Sequence, residues 1–328
     1  MANNVFAKPE KLAAAALGLL ESSVLLANLV ARDSGAEFTG ARNDTVNIKR
    51  PSRLAGFEQD LRADNSGGIQ SENLNEWTIP VTLDKHVYSA VDLTDAELTL
   101  DVTDFGAQVL MPQVSTVVRR VEKQVAAKLM TAPSIGTIPA NDDLEPDDPD
   151  AILKWLTKAR TALNKNDVPT AGRIAVVGSD MEAAILNSPL LVAVNTSGSS
   201  EVLREATVGR LRGFTIYVSN DVAPDAAICY HPSAYILVNR APVVPVSAQG
   251  ASRSYEGMSL RVLRDYNSHT ASDRSFISTY TGMGEVVDAP EDATDPATEA
   301  KQLRAVSFSL APGGSGAKGV TGKVGAKA

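Results

Sequence analysis

The order of its segments constrains this chain most. A stretch with one apolar face comes first, then a polar, glycine-containing excursion between two strand-like runs, then one long amphipathic pattern from Asp104 to Thr131. Only after it does a compact α/β alternation begin. Long irregular segments of this kind are uncommon inside a compact domain. The layout therefore predicts a subunit that is completed by its neighbours.

In the first stretch Leu12, Ala16, Leu19, Leu20, Ser23, Leu26 and Val30 recur at spacings of three and four. That is one face of a helix, read here as an arm that docks on protein. Glu21, Ser22, Ser23 and Asn28 interrupt it. It falls short of the ~20 predominantly apolar residues of a membrane span and lacks the basic start and cleavage site of a secretory signal. Next, Thr45–Lys49 alternates as a strand, Arg50–Asn75 is polar with Pro51, Gly56, Gly67 and Gly68, and Trp77–Leu83 and His86–Val91 return as strands. Pro80 lacks a ladder donor, which places it at a strand edge or a bulge. The unit reads as a long hairpin reaching away from its base.

Glu97–Val102 reads as a short strand, and Asp104 as the cap of a helix whose inner face carries Leu110, Val114, Val117, Val121, Val125 and Leu129. A helix of this span is ~42 Å long at 1.5 Å per residue. Pro112 predicts either a kink or the first turn of the main segment. Asp148 and Pro149 read as cap and first position of a helix burying Ile152, Leu156, Ala159 and Leu163. Strands follow at Arg173–Gly178, Gly213–Asn220, Ala226–Tyr230, Leu260–Leu263, Arg274–Tyr280 and Arg304–Leu310. Short helices are expected at Asp180–Asn187 and from Pro232 to Val238. An acidic loop spans Gly284–Ala300, and the Gly-, Ala- and Lys-rich tail beyond Pro312 has little with which to build a core.

A search for chemistry finds little. The net charge of −8 opposes a general grip on nucleic acid, which needs clustered Lys and Arg. Arg119, Arg120 and Lys123, and Lys318, Lys323 and Lys327 in the tail, read as solvated. The one cysteine, Cys229, sits in an apolar run, excludes an internal disulfide and reads as a buried small residue. Gly314–Gly319 spells GxGxxG, but it follows no βαβ strand and opens no helix, so it is no dinucleotide fingerprint. His86, His231 and His269 lack metal-ligand spacing, and the acidic run Asp142–Asp150 fits no EF-hand. No cofactor, metal or catalytic residue is assigned, and no enzyme activity is expected. The alternative is an α/β enzyme or ligand-binding domain centred on residues 148–270 with an oligomerisation arm.

The ordered set resembles the major capsid proteins of tailed bacteriophages, the HK97-like fold. Val208-Gly209-Arg210-Leu211-Arg212-Gly213-Phe214-Thr215-Ile216-Tyr217-Val218-Ser219-Asn220 is similar to that family's G-x-L-x-G-F-x-V-x-x-S-N passage, and Arg173–Gly178 with its short helix is similar to the strand and helix before it. The resemblance covers about residues 1 to 310.

The resemblance implies an α+β fold in five parts. These are an N-terminal arm at 1–40, an extended loop (E-loop) hairpin at 41–92, a peripheral domain at 93–147 and 271–312 with a spine helix at 104–131, an axial domain at 148–270, and a flexible tail at 313–328. It implies a structural coat protein of the virion, assembled in the host cytoplasm into pentamers and hexamers of an icosahedral head shell. Partners would be copies of itself, a scaffolding protein, a portal and a cement or decoration protein. The shell would enclose double-stranded DNA without sequence-specific binding, and no membrane is involved. Inter-subunit contacts are expected at Leu19, Leu26, Arg50, Arg53, Phe57, Arg62 and Trp77. Some relatives begin with a long scaffolding segment for which this chain has no room, so a separate scaffold is expected. Lys49 and Lys85 lie near the hairpin base, but nothing marks a crosslinking site.

Overall fold

The computed structural model describes residues 25–33, 45–50, 56–61, 68–69, 71, 77–100, 105–140, 148, 150–188, 209–246, 248–255, 258–288 and 300–311. In chain order the strands and helices are β1 (Ala31–Asp33), β2 (Thr45–Arg50), β3 (Trp77–Thr82), β4 (Lys85–Thr94), α1 (Asp95–Leu100), α2 (Met111–Leu129), β5 (Ser134–Ile138), α3 (Ala151–Lys165), β6 (Ile174–Val177), α4 (Ser179–Leu186), β7 (Arg210–Leu211), β8 (Phe214–Val218), β9 (Ala226–Tyr230), β10 (Tyr235–Arg240), β11 (Gln249–Tyr255), β12 (Met258–Asn267), β13 (Ser272–Glu285) and β14 (Ala305–Leu310). They divide into two compact units.

The first unit comprises residues 1–128, 233–289 and 293–301. Its sheet runs β1-β10-β13-β12-β11, with β4 also pairing with β13. The 14-residue β13 is the seam, because β4 lies along one side of it while β12 and β10 share the other. Helix α2 buries Val114, Val117, Val118, Val121, Val125, Ala126 and Leu129, the face its period predicts. Gln113 is buried with it. Its amide donates to the Ser275 carbonyl (3.0 Å), and the Ser275 hydroxyl donates to its Oε1 (2.7 Å), so this polar group is satisfied.

The second unit comprises residues 129–232, 290–292 and 302–328. Its sheet runs β5-β14-β9-β6-β8-β7. One core joins Ile152, Leu156, Ala159 and Leu163 of α3 to Ala175, Val177, Phe214, Cys229, Phe308 and Leu310. The β7–β8 hairpin turns through Arg212 (φ 51) and Gly213 (φ 92). Two positive φ values at a two-residue loop match the twist of the flanking strands, which is why glycine stands before Phe214.

Several expectations are corrected. Residues 26–28 form one 3₁₀ turn, not the end of a long helix, and β1 then joins β10 in parallel. Glu97–Leu100 is helical because Thr94-Asp95-Ala96-Glu97 is a capping box. The Thr94 N–H and hydroxyl donate to the Glu97 carboxylate (2.9 Å each), and the Glu97 N–H donates to the Thr94 hydroxyl (3.3 Å). The spine starts with a π turn at Gly106–Leu110, in which the Met111 N–H donates to the Gly106 carbonyl. Pro112, with no N–H to return to the carbonyl four residues back, accounts for this break in the α ladder. Helix α3 begins after Asp150, two residues beyond the expected cap, although Asp148 still accepts from the Asp150 N–H (3.0 Å).

Tyr235–Arg240 is strand, not helix. An apolar run this short has no readable period, and its environment decides. Strands β5 and β11 have no counterpart among the expected elements. Strand β12, in the stretch expected with the axial region, pairs with β13 in the first unit and carries β11 on its other edge, while β14, expected in the peripheral region, pairs with β9 and β5 in the second.

Candidate assembly surface

The hairpin stands on a glycine seam. Strands β2 and β3 pair from Thr45↔Thr82 to Arg50↔Trp77, with Pro80 opposite Asn47 in a two-stranded sheet where each strand is an edge. At its root Val81 packs with Ile236, Val238 and Val286, flanked by Ala31, Ile79 and Leu83. Gly282 and Gly284 of β13 lie beneath. A Cβ at Gly282 would overlap the Thr82 carbonyl oxygen, and one at Gly284 the Val81 side chain. The absence of both side chains lets the hairpin backbone approach the sheet.

Farther along the hairpin, Phe57 is 56% exposed, Leu61 fully exposed and Ile69 78% exposed. Around Phe57 and Leu61 every residue from Gly56 to Leu61 is exposed, with Glu58 and Asp60 between the two apolar side chains. Their own chain leaves them uncovered.

A second exposed cluster lies on the face of β4 and β13 that continues from Gly282. Strand alternation puts His86, Tyr88, Ala90 and Asp92 on that face, opposite Tyr280, Ser278, Phe276 and Arg274. The His86 ring is 5.3 Å from Tyr88 and 4.9 Å from Tyr280, and Tyr88 stacks on Phe276 at 5.5 Å. Arg261 lies 5.8 Å from the Phe276 ring centre and donates to the Val243 carbonyl (2.7 Å). Val243 and Val246 nearby are exposed. Past the aromatics Arg274 grips Asp92 through two hydrogen bonds of 2.6 and 3.1 Å, an exposed pair of small energetic weight.

The pKa of His86 lies below its ordinary 6.5 because burial and then Arg261 disfavour the cation. The unfolded chain therefore binds its proton first as pH falls. Stability is expected to decline from about pH 6.5 down to the lowered folded-state value, with no further loss from this group below it. Thermal melts from pH 7.5 to 5 should show His86→Gln losing less stability than wild type. Equal losses in the two proteins would remove His86 as a cause.

The 3₁₀ turn and the residues leading from it to β1 are tied into the first unit. The carboxylate of Glu122, buried on α2, accepts the Leu26 N–H (2.7 Å) and the Ala27 N–H (3.2 Å). Leu26 and Ala27 are fully buried, and Leu29 and Val30 nearly so.

Of the expected contact residues, Leu26 has its side chain in the core of its own subunit. Phe57 is exposed on the hairpin, and Arg50 and Trp77 are paired at its far end. Leu19, Arg53 and Arg62 lie outside the described residues, as do the Asp104 cap, the acidic residues 142–147 and the GxGxxG tail. The aromatic face was missed. Its members come from β4 and β13, far apart in sequence, and only the register unites them.

Burial pushes the Cys229 thiol up to about 12. His231 precedes a 3₁₀ turn, and burial, Arg304 and Arg173 lower its pKa. Among the described residues no group of three or more His, Cys, Asp or Glu could hold a metal ion, and no helix is long and apolar enough to cross a membrane.

A family model described as phage capsid protein matches residues 76–277. No curated protein matches. Solved structures do. A chain from Mycobacterium phage Che8 superposes with a TM-score of 0.60 at 20% identity, covering 87% of this chain and 90% of that one. The mature capsid of bacteriophage PhiM1 gives 0.59 at 13% identity over 88% and 87%. The acidic stable capsid of Helicobacter pylori bacteriophage KHP30 gives 0.56 at 10% identity over 94% and 93%.

Proposed function

This chain belongs to the phage capsid protein family, a structural coat protein of the head shell with the HK97-like fold, and from that premise we propose how its copies meet. The shell is built from pentamers and hexamers in which the hairpin of each subunit lies against a neighbour. The observation that carries this reading is the uncovered hairpin: Phe57, Leu61 and Ile69 present apolar surface that their own subunit does not bury. Exposed apolar patches of this kind mark interaction sites, and repetition around a shell makes weak individual contacts sufficient.

The surface suited to receive the hairpin is the aromatic face of His86, Tyr88, Phe276 and Tyr280. Arg261 and Arg240 stand beside it, opposite in sign to Glu58 and Asp60 of the segment that would land there. Leu19, Arg50, Arg53, Arg62 and Trp77 remain contact positions in this scheme, carried by the arm and the hairpin. In this scheme the first unit serves as the peripheral domain and the second as the axial domain. A separate scaffolding protein and a portal complete assembly in the host cytoplasm, and a decoration protein would add to the finished shell. The chain's acidity keeps packaged DNA from adhering to the lining.

A cysteine pair tests the contact. Because Cys229 is buried, introduced thiols are the reactive ones. Phe57→Cys and Tyr88→Cys chains, co-assembled and oxidised, are expected to give a crosslinked dimer that neither variant gives alone. Shells that form but never crosslink would reject this pairing and leave the coat role intact.

A further inference from the structure

We infer that Glu122 is a positioning residue for assembly: its carboxylate fixes the point at which the N-terminal arm leaves the subunit. The inference rests on the reading that the arm takes part in building the shell.

The geometry is a clasp at two points. In the 3₁₀ turn the Asn28 N–H donates to the Leu25 carbonyl (3.1 Å) and the Leu29 N–H to the Leu26 carbonyl (3.0 Å). The turn itself supplies no acceptor for the N–H groups of Leu26 and Ala27. Glu122 takes both, one on each carboxylate oxygen, at 2.7 and 3.2 Å. Hydrogen bonds to an ionised acceptor are about twice as strong as neutral ones, and burial here excludes competing water. Glu122 is 7% exposed on α2, flanked within one turn on either side by the buried Val118, Val121, Val125 and Ala126. Three residues past the turn, Ala31–Asp33 pair in parallel with Ile236–Val238.

Residues 26–33 are thus held at both ends, on the spine helix and on the sheet. Everything before Leu25 must start from that one place and direction. If the arm is the helix that its apolar period predicts, it spans ~36 Å at 1.5 Å per residue, and a small change in its starting direction moves its far end by many ångströms. The buried amides of Leu26 and Ala27 need acceptors in any case; it is the place of this acceptor, where the chain before Leu25 leaves the subunit, that makes it a positioning one.

The test uses the full chain with Glu122→Gln, which keeps the size but replaces one acceptor oxygen by a donor amide. Amide hydrogen exchange is expected to speed up at least tenfold at Leu26 and Ala27 and to stay unchanged along β13. The yield of closed shells should fall, with open or irregular particles in their place. Unchanged exchange at Leu26 and Ala27 would reject the clasp. Faster exchange with a normal shell yield would reject the positioning role. Faster exchange throughout β13 would reduce Glu122 to a stabilising residue and overturn the inference.

A second comparison covers poor folding of the variant. If Glu122 acts through the arm, then adding Glu122→Gln to a chain lacking residues 1–24 should not deepen that chain's assembly defect. An additive defect would overturn the inference. Should the wild type form no shells even when produced with its scaffolding protein, it is the assembly reading that fails; the exchange measurements still decide on the clasp.

Discussion

Gly282→Ala is expected to loosen the hairpin root and to lower the melting temperature of the protein by about 5–10 °C. The added Cβ would overlap the Thr82 carbonyl oxygen, and the Thr82 carbonyl carbon (2.9 Å) and Leu83 Cα (3.1 Å) are also too close. All three are backbone atoms, so no rotamer change relieves the overlap. Either β3 lifts from β13 or the sheet bends. Overpacking of this kind costs about 1–3 kcal/mol and sometimes more, and each kcal/mol moves the midpoint of a unit of 150–250 residues by about 2–4 °C. The neighbouring glycine is an internal control. At Gly284 the overlap is with a side-chain atom, Val81 Cγ2, rather than with backbone. Calorimetry should therefore rank Gly282→Ala as more damaging than Gly284→Ala. A melting temperature for Gly282→Ala within a degree of wild type would mean that the root is not seated as described.

The second large effect lies in the other unit. Phe308→Ala is expected to cost about 3–5 kcal/mol, the usual range for removing a buried phenylalanine. Phe308 is 2% exposed on β14, with the Trp155 ring 5.9 Å away. Strand β14 enters the sheet between β5 and β9, parallel to the first and antiparallel to the second. The cavity would open in the middle of the core, with no edge free to collapse into it. Urea unfolding should show a lower midpoint at an unchanged slope. A shift of less than 1 kcal/mol would mean that β14 contributes pairing but little packing.

These two sites also show what could be read from the residues alone. Strands β2, β3, β6, β8, β9 and β14 were legible because alternation or a bounded β-branched run marks them, and α2 and α3 because their apolar period is unbroken. The turn at Arg212-Gly213 was legible as part of a quoted passage, and its positive φ values give the reason. Tyr235–Arg240 was not legible, since Tyr-Ile-Leu-Val serves a buried strand and a helix turn equally well. Gln249–Tyr255 was missed because Gly, Ala, Ser and Arg carry little strand signal, and its pairing with β12 decides its state. The capping box at Thr94–Glu97 was readable and outweighed the apparent alternation after it.

The site was less legible than the fold. An exposed Phe57 on a polar hairpin can be guessed from composition. Leu26 could not be placed, because a leucine on an amphipathic face suits a neighbour's surface and its own core equally. Its backbone N–H is held by Glu122, 96 residues away. The aromatic face is likewise a product of register, with His86 opposite Tyr280 across the β4–β13 ladder.

The measurement that bears most directly on the central claim is cryo-electron microscopy of the purified protein, produced alone and together with its scaffolding protein. The account predicts closed shells or capsomer rings in at least one condition, with the hairpin of each subunit lying across a neighbour. Uniform small oligomers in both conditions, with residues 56–61 still exposed to solvent, would contradict it.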